Sequence, residues 1–136
     1  MPKKLRSVVL IDDNETTIFL NNRLLTRLEV ADNILTFSRA EQAFEALWGP
    51  ETAGAPAHDV PELVFVDLKM PGMDGFEFLQ RFNALPETER QKTVLTVLTT
   101  SMHAADTARV AQYPNIEYLS KPLTEEKMEK LLKKRF

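Results

Sequence analysis

The chain contains no cysteine, only two histidines and only four glycines in 136 residues. Without a thiol it can form neither disulfides nor thiolate metal sites, and it has no cysteine nucleophile. Gly49, Gly54, Gly72 and Gly75 fall into neither a GxGxxG nor a Walker pattern, which argues against a glycine-rich phosphate loop. His58 and His103 have no partner at metal-ligand spacing, so both are read as surface residues. Long apolar runs are missing too, and no stretch approaches the roughly 20 residues of a membrane span. The Lys3-Lys4 start leads only to a short apolar run before two acids, unlike a signal peptide. A net charge of −3 offers no electrostatic basis for holding nucleic acid. The expectation is a cytoplasmic protein with no nucleic-acid or membrane partner.

What is present is an ordinary globular composition, 43% apolar and 27% charged. The length suits one domain with a single core, taken here as residues 1–136 with no output domain. Apolar runs suited to strands lie at Val8–Ile11, Ile34–Phe37, Leu63–Val66, Val94–Leu98 and Ile116–Leu119. Helical spacing separates them. It runs through Ile18, Leu24, Leu25 and Leu28, then Ala40, Ala43, Phe44 and Leu47, then Phe76, Leu79 and Phe82. A poorly marked helix covers Thr107–Tyr113, and Thr124 caps a last one with Met128, Leu131 and Leu132 on its inner face. Ser38 with Glu41 has the form of a capping box, and Asp74 with Glu77 resembles another helix start. Proline and glycine mark residues 49–61 as a long surface loop. Trp48 is read as packing, and Lys130, Lys133, Lys134 and Arg135 as a solvated helix end that suits the dipole. Five strands alternating with five helices predict an α/β fold, a parallel sheet covered on both faces.

The chemistry gathers at the strand ends. Asp12 and Asp13 follow the first strand, Asp67 ends the third, Thr99 ends the fourth and Lys121 follows the fifth. Ligands of such folds bind beyond the carboxyl ends of the strands, where strand order reverses. Two like charges about 4 Å apart repel by on the order of 4 kcal/mol at an effective dielectric near 20. A cluster of three carboxylates therefore calls for a cation, and an all-oxygen set favours a hard one, Mg²⁺ above all.

Taken in order, four segments resemble the receiver domain of two-component response regulators. They are Asp12-Asp13, the run Asp67-Leu68-Lys69-Met70-Pro71-Gly72-Met73-Asp74-Gly75, Leu98-Thr99-Thr100-Ser101, and Tyr118-Leu119-Ser120-Lys121-Pro122. The likeness runs from about Leu5 to Phe136 and implies a CheY-like, flavodoxin-like sheet of order 2-1-3-4-5, in a stand-alone receiver. It also implies roles. Asp67 would be the phosphoacceptor, supplied by a sensor histidine kinase or a histidine phosphotransfer protein. Mg²⁺ would be held by Asp13, Asp67 and the backbone carbonyl of Lys69, with Asp12 acting through a bound water. Thr99 and Lys121 would contact the phosphoryl oxygens, and Tyr118 would be an aromatic switch coupled to Thr99. The Lys121-Pro122 bond would be cis, aiming the ammonium at Asp67. Output would pass through the fourth helix, fifth strand and fifth helix to a downstream protein or a second copy of the chain, as one step of a phosphorelay.

Two features depart from the commonest receiver pattern. The segment before the third strand is lengthened, and Thr100 stands where a smaller residue often follows the switch threonine. Other readings fit less well. A phosphatase of the haloacid-dehalogenase type needs an acid two residues after its nucleophile, where this chain has Lys69. A scaffold unable to accept phosphate has no reason to retain all five site residues.

Overall fold

The computed structural model describes residues 4–48, 61–70, 72–100, 103–113 and 115–136. Five strands, β1 (Leu5–Ile11), β2 (Ala31–Phe37), β3 (Leu63–Val66), β4 (Val94–Thr99) and β5 (Glu117–Ser120), pair in parallel in the order β2-β1-β3-β4-β5. The helices are α1 (Glu15–Leu28), α2 (Ala40–Trp48), α3 (Gly75–Asn83), α4 (Glu87–Arg90), α5 (Ala104–Ala111) and α6 (Glu125–Arg135).

Alternation along β1 and β3 divides the core between the two faces of the sheet. Val8, Leu10, Leu63 and Phe65 turn to one side, with Leu25 of α1 and Met128, Leu131 and Leu132 of α6. Val9, Ile11, Val64 and Val66 turn to the other, with Ala40, Ala43 and Leu47 of α2 and Phe76, Phe78, Leu79 and Phe82 of α3. Burial on both sides explains why β1 and β3 read as continuous apolar runs. Trp48 packs as expected, with ring centroids 5.3 Å from Phe44 and 5.5 Å from Phe82. The Arg109 guanidinium of α5 lies 3.6 Å from the Phe76 ring centroid, a cation–π contact between α5 and α3.

The structure corrects several expectations. Six helices are described rather than five, because Glu87–Arg90 forms a single turn after Pro86. Four residues are too few to carry a periodic signal. β2 begins at Ala31, three positions before the apolar run, since an edge strand exposes Asp32 and Asn33. α5 begins at Ala104, ahead of the expected Thr107, because its alanine-rich first turn lacks an apolar rhythm. β5 is shifted one residue, to Glu117–Ser120. The Ser38–Glu41 box also gives way: α2 starts at Ala40, the Arg39 carbonyl accepts from the Ala43 N–H, and Glu41 pairs with Arg39 Nε at 2.8 Å. The loop expected over 49–61 and His58 lie outside the described residues, except Pro61. His103 is exposed, at the start of α5.

The basic end of α6 is not simply solvated. Lys134 and Arg135 reach Glu117 of β5 at 3.0 and 2.7 Å. Burial pushes the Glu117 carboxyl up, but hydrogen bonds and charge from these two cations outweigh it and leave it below 4.5. A depressed folded value gives stability above the unfolded value that is lost as pH falls through the folded one. Glu117→Gln is therefore expected to cost about 1 kcal/mol near pH 7, modest because Lys134 is well hydrated. The difference from wild type should vanish in acid, and thermal melts across pH 3–7 would check it; a pH-independent difference would contradict the ion pair.

Candidate functional site

Register places the acids before any side chain is considered. Ile11 pairs with Val66, so Asp12 and Asp67 sit one step beyond two neighbouring strands. The Asp67 N–H continues the ladder by donating to the Ile11 carbonyl at 3.2 Å. β1 and β3 flank the point where strand order reverses, the place such sheets reserve for ligands. On the other side of β3, Val66 pairs with Val97, and Thr99 pairs with Ser120. Thr99, the last residue of β4, is buried, and its carbonyl accepts from the Lys121 N–H at 2.9 Å.

The turn into α1 serves both helix and site. Asn14 caps α1, accepting from the Thr17 N–H at 3.0 Å, and its own N–H donates to Asp12 Oδ1 at 2.9 Å. Asn14 thus caps the helix and braces one of the acids at once. Asp12 and Asp67 are buried and Asp13 is exposed. One carboxylate oxygen from each lies within 4.8 Å of the other two. This donor set is entirely oxygen and entirely acidic, which fits a hard divalent cation.

Lys121 changes the electrostatics of that cluster. Its ammonium stands 2.5 Å from Asp12 Oδ2 and 3.1 Å from Asp67 Oδ2. The Lys121-Pro122 bond is cis. The sequence suggested an ammonium directed at Asp67, whereas the structure gives it both acids to bridge. Burial pushes the Asp12 carboxyl above its ordinary value, and the hydrogen bonds from Lys121 and the Asn14 N–H only partly oppose this. Burial alone would lower Lys121, but the hydrogen bonds it donates to Asp12 and Asp67 more than compensate, so it stays protonated. The remaining Asp67 oxygen, Oδ1, accepts from the Lys69 N–H at 3.4 Å, and Lys69 itself is exposed. Tyr118 of β5 is half-buried against the α2–α3 side of the core, and Thr100 is exposed.

Gly75 closes the Asp67–Gly75 run, and its role emerges only in three dimensions. A Cβ there would lie 2.3 Å from the Asp67 carbonyl oxygen and 2.6 Å from Leu68 Cα. Both obstacles are backbone, so the segment carrying the acid would have to move. Gly75→Ala is expected to destabilise by about 1–3 kcal/mol, the range for overpacking, and to weaken Mg²⁺ binding. Urea titration with and without Mg²⁺ would check both; unchanged stability would show that this backbone yields freely.

Comparison with known proteins agrees with this geometry. Residues 8–133 match the family model of the response regulator receiver domain. A probable chemotaxis protein CheY from Rhizobium etli is 33% identical over 121 residues, covering 89% of this chain and 84% of that protein. Other curated relatives are longer, and the chain spans 52% of one and 23% of another. Among solved structures, a two-component response regulator from Cytophaga hutchinsonii superposes with a TM-score of 0.83 at 27% identity, covering 98% of each chain. A phosphorylated cyanobacterial phytochrome response regulator, RcpA, gives 0.72 at 25% identity, covering 95% of this chain and 89% of that one. Receiver domains are signalling proteins that bind Mg²⁺ at an acidic pocket, and no described helix here is long and apolar enough to cross a membrane. With strand order, strand-end chemistry and family model in agreement, the chain belongs to the response regulator receiver domain family.

Proposed function

We propose that this receiver takes a phosphoryl group onto Asp67 from a phosphohistidine of a sensor kinase or histidine phosphotransfer protein. The observation that carries the reading is the pairing of Asp67 Oδ2 with the Lys121 ammonium at 3.1 Å, beside two further acids. A carboxylate oxygen of Asp67 attacks phosphorus, the N–P bond to imidazole breaks, and the histidine leaves with its electron pair. Asp13, Asp67 and the Lys69 carbonyl would hold Mg²⁺ directly, with Asp12 acting through water. When bound, that ion supplies positive charge for the phosphoryl oxygens. Lys121 supplies a second cation, already at the acceptor. The chain changes its own state rather than turning over a substrate. Incubation with Mg²⁺ and acetyl phosphate tests the reading, through a mass gain of one phosphoryl group; no gain would overturn it.

The phosphoryl group adds roughly −1.5 to −2 charges and three acceptor oxygens. The Thr99 hydroxyl donates to one of them, and Tyr118 turns inward as Thr99 is drawn over. The surface formed by α5, β5 and α6 then binds a downstream protein or a second copy of the chain. Taking the switch from 99:1 inactive to 1:99 requires about 5.5 kcal/mol of differential stabilisation. One charge-assisted hydrogen bond contributes roughly 1.5–3 kcal/mol, so Lys121 must act with Thr99. Thr99→Ala should therefore leave Asp67 phosphorylatable while losing most of the phosphorylation-dependent change on that surface. Amide spectra of α5, β5 and α6 before and after phosphorylation would read this. A full response in the mutant would route the signal through Lys121 instead.

A further inference from the structure

One cation beside the site has no part in the chemistry above. Lys127, in the first turn of α6, donates from Nζ to the Ser120 carbonyl at 2.7 Å, to Ser120 Oγ at 3.2 Å and to the Pro122 carbonyl at 2.9 Å. An ammonium has three N–H donors, and here each has an acceptor in the residues immediately before and after Lys121. We propose that Lys127 is a positioning residue, which holds the Ser120–Pro122 turn and so aims Lys121 at Asp12 and Asp67. The inference rests on the role of Lys121 given under Proposed function.

The backbone around Lys121 is held from two sides. β4 accepts its N–H through the Thr99 carbonyl at 2.9 Å, and α6 holds the flanking residues through Lys127. Lys127 is itself anchored. Its backbone N–H donates to the capping Thr124 Oγ1 at 3.2 Å, and the next residue, Met128, is fully buried. A long lysine side chain has many rotamers to lose, so where it points depends on how firmly its backbone is placed. In group transfer a misplacement near 1 Å can slow a reaction on the order of a hundredfold. Charge-assisted bonds of the Lys127 kind are about twice as strong as neutral ones, which suits this purpose.

The test is a double-mutant cycle on the rate of phosphoryl labelling by acetyl phosphate with Mg²⁺, at a temperature where circular dichroism shows every variant folded. Lys127→Met is expected to slow labelling about fivefold, and to change it less than about twofold in the Lys121→Met background. Lys127→Arg, which keeps a cation for the same carbonyls, should be faster than Lys127→Met. Wild-type rates in Lys127→Met, a full fivefold effect persisting without Lys121, or an arginine no faster than methionine would each overturn the positioning role. If Lys121→Met is slowed while Lys127→Met is not, only this inference falls. If wild-type protein takes no label, the proposed function falls and this inference with it.

Discussion

Asp67→Asn is expected to abolish phosphoryl labelling while leaving the protein folded. The substitution keeps the shape of the side chain and an oxygen able to accept the Lys69 N–H, but removes the charge and lone-pair basicity that make a carboxylate a nucleophile. The fold should survive because Lys121 retains Asp12 as a partner at 2.5 Å. No other acid of the cluster is equivalent. Asp12 is held at closer distances, accepting from the Asn14 N–H at 2.9 Å and from Lys121 at 2.5 Å against 3.4 and 3.1 Å for Asp67, and Asp13 is exposed. The check is intact-protein mass after incubation with Mg²⁺ and acetyl phosphate. Undiminished label in the mutant would move the acceptor elsewhere.

Lys121→Met is expected to produce the largest loss of stability of any change at the site. Methionine keeps the aliphatic stem, so the effect isolates the ammonium. Removing it leaves Asp12 and Asp67, with side chains only 6% and 11% exposed, facing each other without a cation. Breaking a buried pair from one side costs about 3–5 kcal/mol, and some access of water here favours the lower end. Because the folded Lys121 is raised above 10.5, its contribution is complete below that value and fades only as pH rises through the folded one. The deficit should therefore be similar at pH 7 and pH 9. Mg²⁺ should shrink it, since a divalent ion held by this group of acids would replace the missing charge. Denaturant midpoints in EDTA and in Mg²⁺ would measure this. A mutant as stable as wild type in EDTA would mean that the three acids do not need Lys121 to tolerate one another.

Lys121 reaches two of the three acids that would hold Mg²⁺. Sequence reasoning treated three acids as repelling until a metal arrives. In the folded chain an ammonium from 54 positions beyond Asp67 already bridges two of them. The acids are thus not strained to the extent that bare carboxylates would suggest.

Much of this molecule could be read from residue order, because its signals are local. Parallel strands buried on both faces announce themselves as unbroken apolar runs, as in Val8–Ile11 and Leu63–Val66. Carboxylates at the ends of those runs must share one sheet edge once the strands are parallel. Cap residues such as Asp74 and Thr124 act within three positions, so their helix starts were legible as well. Where burial is one-sided or the element is short, the local signal fails. β2 extends into polar residues, α4 is a single turn, and α5 lacks an apolar rhythm.

Other features depend on groups that meet only after folding. The bridge from Lys121 to Asp12 spans 109 positions, and no periodicity or motif encodes which acid an ammonium will face. The need for glycine at position 75 comes from the close passage of the Asp67–Leu68 backbone, a contact between segments rather than a turn preference. Nothing local distinguishes Lys127 from the other charges of α6; only the docking of that helix sets its ammonium against the carbonyls around Lys121. Sequence alone determined which chemical groups stand at the strand ends, since strand period and chain direction place them there. Tertiary structure decided which of those groups touch, because angstrom-scale distances between distant segments are set by how the helices pack on the sheet.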